Sequence, residues 1–377
     1  MTDKKLALLG IIAVLTAAAA VYLGRITQTY QPPAIVISHL IEGLDPGAVG
    51  GIRILSDAGK ETTDLVRQGN GFVVVQKANY PADTRKVNDL ISRCLDLQVS
   101  TGERITSDEK NHAELGVTAD TARQQVDFLD TDGKLIVGIL VSAPDEDQDG
   151  ASYVRLTASP DVYRVDTMPS LASSASDYLD NSLLQLSRDE IIRVTVTDPN
   201  GVSYTLFRPD ETSESEIKLE NMPAGRQWKG STYRSIFQSL SYLSFEDVLK
   251  DDSQDAKQFN WKYRAKTNDA VVYTIQTAER ENDGLVKLSA EYIGPAPSVQ
   301  QQVESEEQLK EREKRFLAKE KADTFNREHQ GWIYKIPVYK MKELTHYLSD
   351  LIEPIPAPEA EKSDTSATVE PAAGTSG

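Results

Sequence analysis

The chain of 377 residues carries 41 Lys and Arg against 58 Asp and Glu, a formal charge of −17. That field repels a polyanion and excludes a nucleic-acid binder that works by neutralising phosphates. One cysteine, Cys94, excludes an internal disulfide and every multi-thiolate metal centre, while 39% hydrophobic residues suffice for folded cores, two domains being expected at this length.

After the start at residues 1–5, Leu6 to Gly24 reads LALLGIIAVLTAAAAVYLG, nineteen residues without a charge. As a helix this run is about 28 Å long, enough for one membrane span. Leu6, Leu9, Ile11, Ile12, Leu15, Val21 and Leu23 form its lipid-facing set. Lys4 and Lys5 precede the run and only Arg25 follows at once, so the amino terminus is expected inside and the bulk outside the cytoplasm. A signal peptide cleaved near Ala17 to Ala20 is the competing reading. Both put the remainder in the same compartment.

A linker follows over 25–43, broken by Pro32-Pro33, with folded material beginning near Val36. Runs of alternating β-branched and polar residues are then punctuated by Ser56–Gly59, Asp130–Gly133, Asp145–Gly150 and Asp198–Gly201. Asp-Gly and Asn-Gly supply the positive φ of tight hairpins, so antiparallel ribbons are predicted. Between them, Asp83 to Val99 repeats Val87, Leu90, Ile91, Cys94, Leu95 and Leu97 at helical spacing, with Asp83 as N-cap. Cys94 lies on the apolar face and reads as a core filler.

The order then recurs. Ile52–Leu55 corresponds to Ile192–Thr195, and the helix at 83–99 corresponds to one predicted over Tyr233 to Leu249. Val162–Val165 corresponds to Ile333–Ile336, where the offset has grown from 140 to 171 because a charged helical stretch, 298–330, has no counterpart in the first half. The predicted architecture is α+β: a transmembrane helix, then two similar β-rich units over 44–187 and 188–354, each a sheet with one main packed helix. The Pro-, Ala- and Glu-rich residues 355–377 cannot bury enough surface to order themselves.

Gly71-Phe72-Val73-Val74, Tyr80-Pro81-Ala82-Asp83, Ala113 to Val117, Tyr153-Val154-Arg155 and Val162 to Val165, in that order after a basic start and one span, resemble the bacterial domain of unknown function 4340. The resemblance covers roughly 44–355. It implies an extracytoplasmic, membrane-tethered protein of the bacterial cytoplasmic membrane, of a kind often encoded beside ABC-transporter components of the gliding type. It supplies no catalytic residues.

The residues offer little concentrated chemistry. Asp145, Asp147, Asp149 and Gly150 reproduce the opening of an EF-hand loop, but position twelve is Leu156, where the bidentate Glu belongs. A solvated acidic hairpin is therefore expected, with weak calcium binding as the alternative. In the charged stretch, Glu306–Lys310 and Glu311–Arg315 are helix-supporting pairs, and Leu309, Phe316 and Leu317 form a thin stripe, either lying on its own domain or offered to a partner. His39, His112, His329 and His346 sit in no catalytic context and read as surface or loop residues. Trp228, Trp261 and Trp332 read as core anchors. Gly47 to Gly51 lacks the Lys-Ser/Thr of a phosphate loop, so no nucleotide or other cofactor is expected. The expected function is accessory and non-enzymatic, binding an envelope or transporter protein. The rivals are an envelope hydrolase using two carboxylates and a weakly calcium-binding adhesion module.

Overall fold

A computed structural model describes residues 13–23, 35–210, 216–251, 259–296 and 305–356. It is a β-rich α+β fold with few helices, in which the strand pairs run antiparallel. The chain divides into two compact units between Asp180 and Asn181.

The first unit holds β1 (Ile37–His39), β2 (Gly51–Ser56), β3 (Glu61–Gln68), β4 (Gly71–Val74), β5 (Tyr80–Pro81), α1 (Thr84–Leu95), β6 (Gln98–Ser100), β7 (Arg104–Thr106), β8 (Gln124–Leu129), β9 (Leu135–Val141), β10 (Ser152–Leu156) and β11 (Val162–Val165). Nine strands form one sheet in the order β5-β4-β3-β2-β8-β9-β10-β11-β7, and β1 pairs with β6. The four predicted turns, one of them in the second unit, all join neighbouring strands; Asp57 and Ala58 take φ of 48° and 57° to reverse β2 into β3. Alternation puts Ile52, Ile54, Leu65, Val126, Phe128, Ile139 and Val154 on one fully buried face. At about 1.5–3 kcal/mol per buried apolar side chain, this layer is the main stabilising term of the unit.

Helix α1 begins where predicted, the Asp83 carboxylate accepting from the Arg85 amide at 2.9 Å. It buries Val87, Leu90, Ile91 and Cys94 but ends at Leu95, short of the predicted Val99. Leu97 and Val99 are buried by the chain that leads into and forms β6, since pairing with β1 satisfies the backbone that another helical turn would have used.

The second unit holds β12 (Ser182–Leu184), β13 (Ile191–Thr197), β14 (Ser203–Phe207), β15 (Lys218–Leu219), β16 (Arg226–Trp228), α2 (Thr232–Phe237), β17 (Leu243–Ser244), β18 (Asp247–Lys250), β19 (Trp261–Thr267), β20 (Val271–Glu279), β21 (Gly284–Tyr292), α3 (Glu306–His329), β22 (Trp332–Ile336), α4 (Val338–Leu344), α5 (Leu348–Leu351) and β23 (Ile352–Pro354). Its main sheet has eight strands, β15-β14-β13-β19-β20-β21-β22-β18. This is the path β4-β3-β2-β8-β9-β10-β11-β7 of the first unit, and the pair β12–β17 matches β1–β6. The connection that differs most is β21 to β22, which contains α3 where β10 to β11 has a turn.

The helix predicted over 233–249 is cut short at Phe237. The Ser239 hydroxyl donates back to the Ser235 and Ile236 carbonyls, a 3-10 turn follows at Ser239–Ser241, and Leu243 and Val248 lie on strands. Leu240, Leu243 and Phe245, which share helical spacing with Ile236 and Phe237, are all buried, but Leu243 lies on a strand and Phe245 just beyond it. Gly284 lets α4 reach the sheet: a Cβ there would stand 2.8 Å from Met341 Cγ.

Candidate interaction surfaces

Helix α3 is built to stand partly without tertiary support. Ser305 and Gln308 form a reciprocal capping box, Glu306 and Glu307 occupy the first turn, Arg327 and His329 the last, and Arg315 Nε lies 3.1 Å from Glu311 Oε1. Its carboxyl-terminal half rests on β20 and β21 through Ala318, Ala322, Phe325 and His329. Phe325 meets Tyr273 edge-on at 5.1 Å. The Asn326 amide clamps Ala290, donating to its carbonyl at 2.7 Å and accepting from its amide at 2.8 Å. Lys321 lies 3.3 Å from Asp269 and 3.8 Å from Glu190.

The opposite side of the helix is open. Leu309, Phe316 and Leu317 are 41%, 58% and 55% exposed. At about 100° per residue, Leu309 and Phe316 fall about 20° apart and opposite the alanine seam, whereas Leu317 stands about 80° from Leu309, on the flank between that line and the seam.

The acidic hairpin spends its carboxylates locally. Asp145 Oδ1 accepts from the Asp147 amide at 3.0 Å, Asp145 Oδ2 accepts from the Tyr153 hydroxyl at 3.2 Å, and Asp149 takes a left-handed φ of 56°. Leu156, at the twelfth position, is on β10. Among the described residues no group of three or more His, Cys, Asp or Glu is arranged to hold a metal ion.

Of the predicted span, residues 13–23 are helical, with Leu15, Val21 and Leu23 exposed, and Leu6, Leu9, Ile11 and Ile12 lie outside the described residues. No helix among the described residues is long and apolar enough to cross a membrane. Residues 357–377, most of the predicted tail, also lie outside them.

Two of the histidines read as surface or loop residues are buried, and of these only His329, on a helix, departs from that expectation. His112 is 5% exposed with Nε2 2.9 Å from the Pro160 carbonyl, in a loop held down by Val117, Ala122, Leu140 and Val162. His329 is 7% exposed, and burial lowers its pKa to about 4, against the opposing bond to the Leu183 carbonyl. With the ring donating to Leu183, Nδ1 accepts from the Tyr334 hydroxyl at 2.7 Å, which fixes a neutral imidazole. Trp261 is core, 2% exposed; Trp228 stacks on Tyr233 at 4.2 Å and Trp332 lies under Lys250, both only half-buried.

Sequence reading missed a third surface. On β19 Tyr263 and Ala265 are buried, and the Tyr263 hydroxyl donates to the Ile236 carbonyl at 2.8 Å, so Lys262, Arg264 and Lys266 project from the other face. The alternation WKYRAKT was its only signal.

These features define a β-rich α+β protein whose two sheets follow one strand order. The chain belongs to the DUF4340 family: the profile of that domain of unknown function matches residues 73–262, from β4 of the first unit into β19 of the second. No curated protein and no solved structure matches the chain.

Proposed function

We propose that this is a membrane-anchored, extracytoplasmic accessory protein that binds an envelope partner of the ABC-transporter type through the open side of α3. The charge-free run 6–24 behind Lys4 and Lys5 supports the anchor and its orientation, with the amino terminus inside the bacterial cytoplasmic membrane and the two units outside it. The observation that carries the docking reading is the outward stripe of Leu309, Phe316 and Leu317 on a helix already anchored through its other side. Covering a fully exposed Leu or Phe contributes about 1.5–3 kcal/mol; these three, each about half exposed, supply part of that toward a contact whose remainder comes from the surface around them. The shared strand order supports a further reading, that the second unit is a duplicate of the first with α3 inserted between its last two hairpin-connected strands.

A photo-reactive residue placed at Leu309 or Phe316 in intact cells tests the docking reading. The expected result is one discrete adduct containing an integral membrane transporter component, absent when the probe sits at the exposed Thr62 of β3. A diffuse adduct pattern equal at the helix and at Thr62 would sink it.

A further inference from the structure

The two sheets put opposite charges at the same register position. In the first unit Arg53 of β2 lies across from Asp127 of β8; in the second Arg193 of β13 lies across from Lys266 of β19. Arg53 is doubly answered, by Asp127 and by Asp64, whose Oδ1 accepts from its Nε at 2.8 Å. Arg193 is held by both oxygens of Glu220 at 3.0 Å and lies over the Phe207 ring at 5.4 Å. That leaves Lys266 facing a cation that is already satisfied. Like charges directly opposed across a sheet are destabilising, and nothing in the packing requires this one.

Lys266 is the end of a row. Lys262, Arg264 and Lys266 stand about 6.8 Å apart along β19 on its solvent face, and none has a salt-bridge partner among the described residues. The flanking columns are uncharged beside Lys262 and Arg264: Thr195 and Thr197 on β13, Thr274 and Gln276 on β20. Nearby acids are committed or remote, since Asp251 pairs with Lys287 and Glu291 lies two strands away, opposite Val272.

We infer that this outer face of the second unit docks a short, extended acidic segment of a partner protein. Carboxylates at every second residue of an extended chain repeat at about 6.8 Å, the spacing of the three cations. The neighbouring hydroxyls and the Gln276 amide supply hydrogen-bond partners for its backbone. The flanking columns hold no aromatic ring on which a base would stack, and no apolar wedge of the kind that enters a lipid interface. The net charge of −17 repels a long polyanion, whereas a short segment feels mainly charges within a Debye length of about 8–10 Å. The face is distinct from α3 and stands or falls separately from the docking proposed there.

Binding of a fluorescent peptide of about 12 residues alternating Glu and Ser, measured on the full chain at about 50 and about 250 mM salt, tests it. The expected result is saturable binding that weakens with salt, is lost with a Gln-Ser peptide, and falls about ten-fold in K262Q/R264Q/K266Q. R264Q alone, in case the triple variant fails to fold, should weaken binding about two- to five-fold at an unchanged melting temperature, while K262R/K266R retains binding and R53Q in the first unit has no effect. Equal affinity in wild type and R264Q overturns the proposal. So does binding only to phosphatidylglycerol vesicles and not to the peptide, which would make the face a lipid surface instead.

Discussion

His329 shows how a residue without catalytic context still carries a measurable property. Its imidazole is buried against Phe325, with ring centroids 4.3 Å apart, and is bonded on both sides. A folded-state pKa of about 4 against an ordinary value of about 6.5 means that between those pH values the unfolded chain binds a proton that the folded chain does not. Stability from this group is therefore intact above about pH 6.5 and is lost as pH falls toward 4. Urea unfolding at pH 7.5 and pH 5 should show the wild type losing about 2 kcal/mol more than H329Q over that interval. Parallel losses in the two proteins would mean that the ring protonates without opening the site. Cys94, by contrast, is 1% exposed and its thiol is pushed up to about 12 by burial, so it packs as an apolar filler, as its place on the apolar stripe of α1 implied.

At the scale of one element, α3 has a side packed on the sheet and an open side. Ala318 and Ala322 let the helix approach β21 closely enough for Asn326 to bond the Ala290 backbone, and a larger side chain there has no room. Ala322→Leu should cost about 1–3 kcal/mol by overpacking, while Phe316→Ser on the open side should change stability by less than about 0.5 kcal/mol. Thermal melts of the two variants check this, and a destabilising Phe316→Ser would show that the stripe is covered within the protein itself. The charged i,i+4 pattern made this helix readable from sequence, because it acts within a turn or two of chain, whereas the Ser305 capping box came only with the structure. The stretch 233–249 was misread for a physical reason: Ile236, Phe237, Leu240, Leu243 and Phe245 satisfy helical spacing, but Leu243 and Val248 belong to strands whose partners, β12 and β22, lie far away in sequence.

At the scale of the molecule, each unit has its own sheet and its own buried layer, so each should fold alone. A fragment of residues 36–180 is expected to unfold cooperatively, with retained near-ultraviolet dichroism; a molten, gradually melting fragment would show that the first unit needs the second. The family assignment rests on residues 73–262, which run from the first unit into the second, so the family's profile crosses the division rather than describing one unit.

Local chemistry alone determined the hairpin turns, the start of α1, the presence of α3 and the β-rich class, because capping, positive φ at Asp-Gly and Asn-Gly, and ion pairs within one helix involve residues close in the chain. Tertiary structure decided the rest. Which side of β19 faces water depends on Tyr263 reaching α2, and the opposed Arg193 and Lys266 meet only when strands some 70 residues apart pair in register. Whether Leu309, Phe316 and Leu317 are covered depended on which side of α3 the alanines turned to the sheet. Long-range pairing sets charge neighbours and exposure, and neither quantity is a property of a residue's sequence neighbours.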